Sequence, residues 1–166
     1  MNIQTSRLTL RPLTEGDRSE MIRLLMDGRI KDGYMLPDYA SEVEAQPMFE
    51  RLKALSEKEG FVLVGIFDAE GLAGFMNRVS VDGGCIEVGY VISPHCWNRG
   101  YCTEALKAVI GELFAAGFDE VAAGAFEHNA ASMRVMEKAG MARLDKTEQI
   151  EYRGRVRRVI CYSIQK

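Results

Sequence analysis

The sequence of 166 residues predicts an α/β fold, and three patterns predict it. Residues 85–92 are nearly all apolar or β-branched, as in a buried strand. After a short loop, an apolar stripe at helical spacing is formed by Cys102, Leu106, Val109, Ile110 and Leu113. A second short apolar run, at 120–126, precedes another helix pattern. Strand, helix, strand and helix in this order are typical of a sheet with helices packed against it.

Capping and turn residues set the bounds of the other predicted elements. Thr14 and Asp17 have the spacing of a capping box, and Gly60 is a typical residue for ending a helix. The segments 68–71 and 82–84 are turn signals between strands. The predicted elements are a strand at 5–12 with Leu8 and Leu10 inward, a helix from 14 to about 26, a loop at 27–47, a helix at 48–59, strands at 61–67, 72–81 and 85–92, the helix after residue 100, a strand at 120–126, a helix at 130–139, and strands at 144–152 and 156–164.

Composition indicates an ordinary globular protein. Apolar residues make up 47% of the chain and charged residues 27%, and the net charge of −3 gives no indication of nucleic acid or membrane as a partner. No signal peptide or transmembrane run is found, so a cytoplasmic protein is predicted. The four cysteines have no Cys-x-x-Cys spacing and are expected to be reduced, and the two isolated histidines predict no metal site.

The loop between the central strand and its helix has the features of an anion site. Pro94 ends the strand, and the loop 97–100 ends in Gly100, which lets a ligand approach the backbone. The small residues Cys102 and Ala105 leave the first helical turn accessible, where N–H groups have no helical acceptor. The pattern indicates a phosphate or pyrophosphate site; a glycine needed only for the turn is the alternative.

Residues 97–106 resemble the acetyl-CoA pyrophosphate loop of the GNAT N-acetyltransferase superfamily. That loop reads Arg/Gln-x-x-Gly-x-Gly/Ala, whereas this chain has Trp97 at the first position and Cys102 at the last. The Trp variant followed by Gly-Tyr-x-Thr-Glu-Ala is typical of the branch that includes the ribosomal-protein alanine N-acetyltransferases. Since the loop binds through backbone N–H groups, these departures affect binding little.

A second motif, at 128–141, is similar to another GNAT signature. Asn129 has the position of a helix N-cap with Ser132 three residues later, which is a sufficient structural role by itself. The matching residues are Asn129, Ser132, Glu137, Lys138 and Gly140. With the amino-terminal segment Thr5-x-Arg-Leu-x-Leu-Arg-Pro, the resemblance covers nearly the whole chain.

The resemblance implies a GNAT-like fold in a single N-acetyltransferase domain spanning 1–166. Its mixed central sheet would have about six to seven strands, flanked by about four helices, with a splayed parallel strand pair that binds acetyl-CoA. Unpaired backbone groups of Val91 and Ser93, next to Gly89, would bind the pantetheine arm like an added strand. The residues implied to bind the co-substrate are Val91, Ile92, Ser93, Asn98, Arg99, Gly100, Tyr101, Cys102, Thr103, Asn129 and Lys138.

Three residues are candidates for catalysis. Glu87 lies in the apolar strand on the face of Gly89 and Val91, where burial would disfavour its charged form and make it a proton acceptor. An ion pair with an arginine, or an orientation toward water, is an equal alternative. The resemblance implies Ser132 as the acid near the thioester sulfur and Glu151 as a second candidate base.

The amine acceptor is left open between a protein N-terminal α-amine and a small-molecule amine, in a monomer or homodimer. A non-catalytic CoA-binding sensor is the alternative function, and a ping-pong mechanism through Cys102 is an alternative route. Tyr34 and Tyr39 are candidate substrate contacts, with anchoring of their loop to the core as the favoured alternative. The basic hairpin at 153–158 is expected to be solvated, with an acidic substrate or partner as the second interpretation.

Overall fold

A computed structural model describes residues 1–166, which divide into two compact units. The first unit comprises residues 1–78 and 90–101, and the second comprises 79–89 and 102–166. The strands and helices are β1 (Ile3–Gln4), β2 (Thr9–Arg11), α1 (Arg18–Met26), α2 (Gly28–Lys31), α3 (Glu42–Glu57), β3 (Leu63–Phe67), β4 (Leu72–Asp82), β5 (Cys85–Ile92), α4 (Tyr101–Ala115), β6 (Glu120–Phe126), α5 (Ala130–Lys138), β7 (Ala142–Tyr152) and β8 (Arg155–Gln165). The predicted α/β class with a mixed sheet is confirmed, with eight strands and five α-helices where fewer of each were expected.

In the first unit the strands follow the order β1-β2-β3-β4-β5, and β1 to β4 are antiparallel neighbours. The single strand predicted at 5–12 is instead a hairpin of β1 and β2. Its turn is closed by Thr5, whose N–H donates to the Leu8 carbonyl at 2.9 Å and whose hydroxyl accepts from the Leu8 N–H at 3.0 Å. Leu8 and Leu10 are buried, as predicted.

The predicted capping box of Thr14 and Asp17 is confirmed; it begins a 3-10 turn at Glu15–Asp17, and helix α1 follows at Arg18. The Asp17 carboxylate accepts hydrogen bonds from the Thr14 N–H at 2.7 Å and from the guanidinium of Arg11 at 2.8 and 2.9 Å. It is one of the few buried charged groups in the chain, and these bonds compensate the loss of water around it.

Helix α3 begins six residues before the predicted start at residue 48. Ser41 caps it, since its hydroxyl accepts from the Glu44 N–H at 3.3 Å. Pro47 was interpreted as a loop residue but lies inside the helix. Its missing N–H leaves the carbonyl of Val43 without a donor at a position exposed to solvent, so the helix tolerates it.

In the second unit the strand order is β4-β5-β6-β8-β7. Strands β5 and β6 are parallel, and β8 is antiparallel to both β6 and β7. The predicted apolar stripe of α4 is confirmed, because Leu106, Val109, Ile110 and Leu113 are buried. Strands β7 and β8 are joined by Arg153 and Gly154, both with positive φ, as in a tight hairpin turn. None of the helices has the length and apolar character needed to span a membrane.

Candidate active site

The loop before helix α4 has the backbone shape expected of an anion site. Asn98 and Gly100 adopt φ values of 62° and 78°, a left-handed conformation that glycine and asparagine tolerate best. Helix α4 starts directly afterwards at Tyr101, so the N–H groups of 101–103 have no acceptor within the helix. The predicted order of strand, glycine loop and helix is therefore confirmed.

The end of β5 is more fully hydrogen-bonded than the sequence suggested. The N–H of Ser93 donates to the carbonyl of Ala73 at 2.8 Å, and the indole N–H of Trp97 donates to the carbonyl of Ile92 at 2.8 Å. The prediction of an unpaired N–H at Ser93 is therefore wrong, because β4 supplies an acceptor for it. Trp97 thus anchors the loop to the end of β5 through its indole N–H.

Arg7 supports this loop, although sequence reasoning assigned it no role. Its Nη1 donates to the carbonyl of Arg99 at 2.8 Å, and its guanidinium lies 4.9 Å from the ring centroid of Tyr101. Its Nη2 lies 3.4 Å from the point where a Cβ on Gly100 would stand. Arg7 therefore contacts Arg99 and Tyr101, on either side of Gly100, and adds positive charge beside the loop.

The thiol of Cys102 has the properties of an inert group. Burial raises the pKa of Cys102, despite its position in the first turn of a helix. A reactive thiolate would require the opposite shift. This environment argues against the ping-pong alternative, and all four cysteines of the chain are free thiols.

Glu87 lies beside Gly124 on the sheet of the second unit. The side chain is half-buried, and its Oε2 accepts from the hydroxyl of Ser80 at 3.0 Å. Its Oε1 lies 3.9 Å from the position of a Cβ on Gly124. Gly124 is exposed, although Ala123 and Ala125 beside it are buried. The Glu87 carboxylate thus lies beside Gly124, where Val159 fills the place of a side chain, and its hydrogen-bond partner is a serine rather than an arginine.

Strand β5 changes its pattern of burial at Gly89. Ile86 and Val88 are buried, and strict alternation would bury Tyr90, yet Tyr90 is half-buried and Val91 is buried. Val91 packs in the core of the first unit, whereas Glu87 belongs to the second. That the two side chains share a face stays a prediction.

The parallel pairing of β5 with β6 is short. It joins Cys85–Glu87 to Glu120–Ala122, and Val88 and Gly89 lie beyond it in the same unit. On its other side, β6 is paired with β8 along its whole length. This early end of the ladder agrees with the splayed parallel pair that was predicted.

Asn129 and Ser132 are brought together as the sequence predicted. Asn129 caps helix α5, and its Oδ1 accepts from the Ser132 N–H at 3.1 Å. The Ser132 side chain is half-buried, so its hydroxyl is not sequestered in the core. Lys138 is exposed in the last turn of the same helix, and Glu137 accepts from the hydroxyl of Tyr162 at 3.0 Å.

Glu151 is placed differently from Glu87. It is exposed on β7, between Ile150 and Tyr152, whose side chains pack on the Phe126 cluster. Since successive side chains of a strand point to opposite faces, Glu151 points away from that cluster.

Glu148 is the glutamate of β7 on the face of Glu87. Glu148 is opposite Val159 in the β7–β8 register. Burial, together with the charges of Glu148 and Glu87, raises the pKa of Cys161 in the same part of the sheet. Sequence reasoning selected Glu151 by resemblance and did not consider Glu148; the face of each depends on the register shift between residues 143 and 147.

Tyr34 and Tyr39 are held against the core of the first unit. The hydroxyl of Tyr34 donates to Oδ1 of Asn77 at 2.6 Å, its ring packs edge-on against Phe75, and burial raises the pKa of Tyr34 to about 12. The Lys31 ammonium lies 5.8 Å from the ring centroid of Tyr39. These contacts support the interpretation that both rings anchor their loop.

Comparison with known proteins gives consistent matches. Residues 7–142 match the family model described as the acetyltransferase (GNAT) domain. An uncharacterized N-acetyltransferase, YoaA of Bacillus subtilis (strain 168), is 27% identical over 162 residues, which are 90% of this chain and 88% of that protein.

Solved structures have the same fold. The GNAT-family acetyltransferase from Bacillus anthracis has a TM-score of 0.84 at 23% identity, covering 99% of this chain and 98% of the other. RimL, a ribosomal L7/L12 alpha-N-protein acetyltransferase in complex with coenzyme A, has a TM-score of 0.84 at 18% identity, with the same coverage.

Proposed function

Since the chain belongs to the GNAT acetyltransferase family, we propose that it transfers the acetyl group of acetyl-CoA directly to the α-amine of a protein or peptide. Membership of the family makes it an N-acetyltransferase with acetyl-CoA as co-substrate. The choice of a peptide N-terminus over a small amine draws support from the likeness to RimL, together with the sequence resemblance to the same branch.

Binding of acetyl-CoA is proposed at the loop 98–103. The left-handed backbone at Asn98 and Gly100 and the open first turn of α4 suit a pyrophosphate bound by N–H groups. Arg7 and Arg99 would add favourable charge beside it. The Nδ2 group of Asn129 would donate to the pantetheine arm, because Oδ1 is used in the helix cap, and Lys138 would contact the same co-substrate.

Glu87 is proposed as the base that takes the proton of the acceptor amine. The amine nitrogen forms a bond to the acetyl carbon, the carbon–sulfur bond breaks, and the electron pair leaves with the sulfur. The amine proton passes to Glu87, directly or through one water, and the thiolate receives the hydroxyl proton of Ser132, which takes a proton back from solvent. The observation that carries this assignment is the half-buried Glu87 carboxylate, oriented by Ser80 beside the exposed Gly124.

Both units are proposed to act as one domain. The family model spans 7–142 and so includes residues of both. A single N-acetyltransferase domain at 1–166, monomeric or homodimeric and located in the cytoplasm, belongs to the same proposal.

Calorimetric titration with acetyl-CoA tests the binding site. Gly100→Glu is expected to abolish binding, because a carboxylate in the loop repels the pyrophosphate. Gly83→Glu is a matched control: Gly83 also has a positive φ, of 56°, and nothing lies within 4 Å of its Cβ position. Equal binding by wild type and both variants would remove the loop from the proposal.

Steady-state acetylation of short peptides tests the chemistry. Glu87→Gln is expected to lower kcat by about 10²–10⁴-fold, the usual contribution of a general base, with little change in acetyl-CoA affinity. Glu151→Gln serves as the comparison, since it removes a carboxylate that points to the other face. A larger loss in Glu151→Gln would transfer the role of base to that residue. Tight binding of acetyl-CoA without turnover on any amine would favour the CoA-binding sensor.

A further inference from the structure

Arg157 is a cation whose environment leaves it uncompensated. Its side chain is half-buried on β8, and its Nε atom is buried without a hydrogen-bond partner. The next residue, Arg158, by contrast donates to Glu127 at 3.0 Å. Buried donors are nearly always paired, and the cost of leaving one unpaired is greater when it is charged.

The position of Arg157 places it on the face of the proposed base. Arg157 and Val159 are two residues apart on β8 and so point to the same side of the sheet. A Cβ on Gly124 would lie 2.8 Å from Cγ1 of Val159 and 3.9 Å from Oε1 of Glu87. Glu87, Gly124 and Arg157 therefore lie on a single face of the second unit.

The separation of Glu87 and Arg157 corresponds to a few residues of extended peptide. Two residues along a strand span about 6.7 Å. Cγ1 of Val159 and Oε1 of Glu87 both lie within 4 Å of the Cβ position of Gly124. The total is roughly 10–14 Å, which an extended chain covers in three or four residues.

The charges near Arg157 leave it available for an external anion. Glu148, the carboxylate on the same face of β7, lies 3.5 Å from the ammonium of Lys146. Arg155, two residues before Arg157, is exposed and adds positive charge on this side of the hairpin. A planar guanidinium binds a carboxylate through two parallel hydrogen bonds, a geometry that an ammonium cannot offer.

We propose that Arg157 binds a carboxylate of the acceptor, so that the preferred substrate is a peptide with an acidic residue about three positions from its reacting α-amine. This inference rests on the proposed function, because the amine must lie at Glu87. It selects the acidic-substrate interpretation of the basic hairpin and assigns it to one residue of that hairpin.

The test uses two amidated peptides, Ala-Ala-Asp-amide and Ala-Ala-Asn-amide, which differ in one carboxylate. The wild-type protein is expected to prefer the acidic peptide by about tenfold in kcat/KM, through KM, as one charged hydrogen bond would give. Arg157→Met is expected to remove this preference and leave the amide peptide unchanged, and Arg157→Lys to restore part of it. Arg158→Met, on the opposite face, is expected to keep the preference.

Two further outcomes separate the inference from its premise. Turnover of both peptides without preference in wild type, or an equal loss on both in Arg157→Met, would overturn the inference alone. Absence of turnover on every amine, with acetyl-CoA still bound, would overturn the proposed function and the inference with it. The melting temperature of Arg157→Met is expected not to fall, since the variant removes an unpaired buried donor; a clear fall would indicate a structural role and contradict the proposal.

Discussion

Substitution of Gly74 by alanine is expected to separate β4 from β5 and destabilise the first unit. A Cβ on Gly74 would lie 2.1 Å from the carbonyl oxygen of Val91 and 3.0 Å from the Cα of Ile92. Close contacts between carbon and carbonyl oxygen are normally no shorter than about 3.3 Å, so β5 would have to retreat by about 1 Å. Both obstructing atoms belong to the backbone and cannot rotate away.

The cost of Gly74→Ala is expected to reach about 3 kcal/mol, the upper end for overpacking. For a domain of this length that is a fall of roughly 6–12 °C in melting temperature. Gly111→Ala is the matched control, because nothing lies within 4 Å of that Cβ position in helix α4, and alanine there is expected to stabilise by roughly 0.5–1 kcal/mol. Urea denaturation of both variants measures the difference; equal stability of Gly74→Ala and wild type would refute the steric argument.

Two further predictions concern charged groups of the first unit. Arg7→Met is expected to weaken acetyl-CoA binding about tenfold in calorimetry, because the carbonyl of Arg99 loses a charged donor, with Arg7→Lys intermediate; unchanged affinity in both would exclude Arg7 from loop support. Burial disfavours the ionised form of Asp17, but hydrogen bonds from Arg11 and Thr14 outweigh it and lower the pKa of Asp17. Its stabilisation is therefore present above the unfolded pKa of about 3.9 and is lost as pH falls through the lower folded pKa, so Asp17→Asn is expected to flatten this part of the stability–pH curve in urea titrations.

Elements set by local pattern were predicted well from the sequence. Strand β6 has the predicted bounds, and Asn129 caps α5 as its position suggested. The bounds of strands and helices were predicted wrongly where a single side chain formed a turn or a helix cap that the hydrophobic pattern does not indicate. The Thr5 hydroxyl closes a turn inside a predicted strand, and Pro47 is tolerated inside a helix that Ser41 had already started.

The site residues that sequence reasoning missed depend on contacts between distant parts of the chain. Arg7 and Arg99 are 92 residues apart, and nothing local in either segment indicates that they meet. The partner of Glu87, Ser80, lies across a hairpin whose register only the structure fixes. Gly124 carried a usable signal, because a glycine inside an apolar strand often marks a close approach by a ligand.

Three departures from ordinary packing coincide on one face of the second unit. Gly124 is an exposed glycine between buried residues, with Val159 where a side chain would stand, Glu87 is a half-buried carboxylate, and Arg157 is a half-buried cation with an unpaired Nε. The half-buried charges of Glu87 and Arg157 do not by themselves stabilise the sheet. A sequence that specifies one fold breaks such rules mainly at functional sites, so their coincidence here is better explained by an acceptor than by stability. The same reasoning separates Arg157 from Arg158, because Arg158 has its compensating carboxylate within the protein and needs none from a substrate.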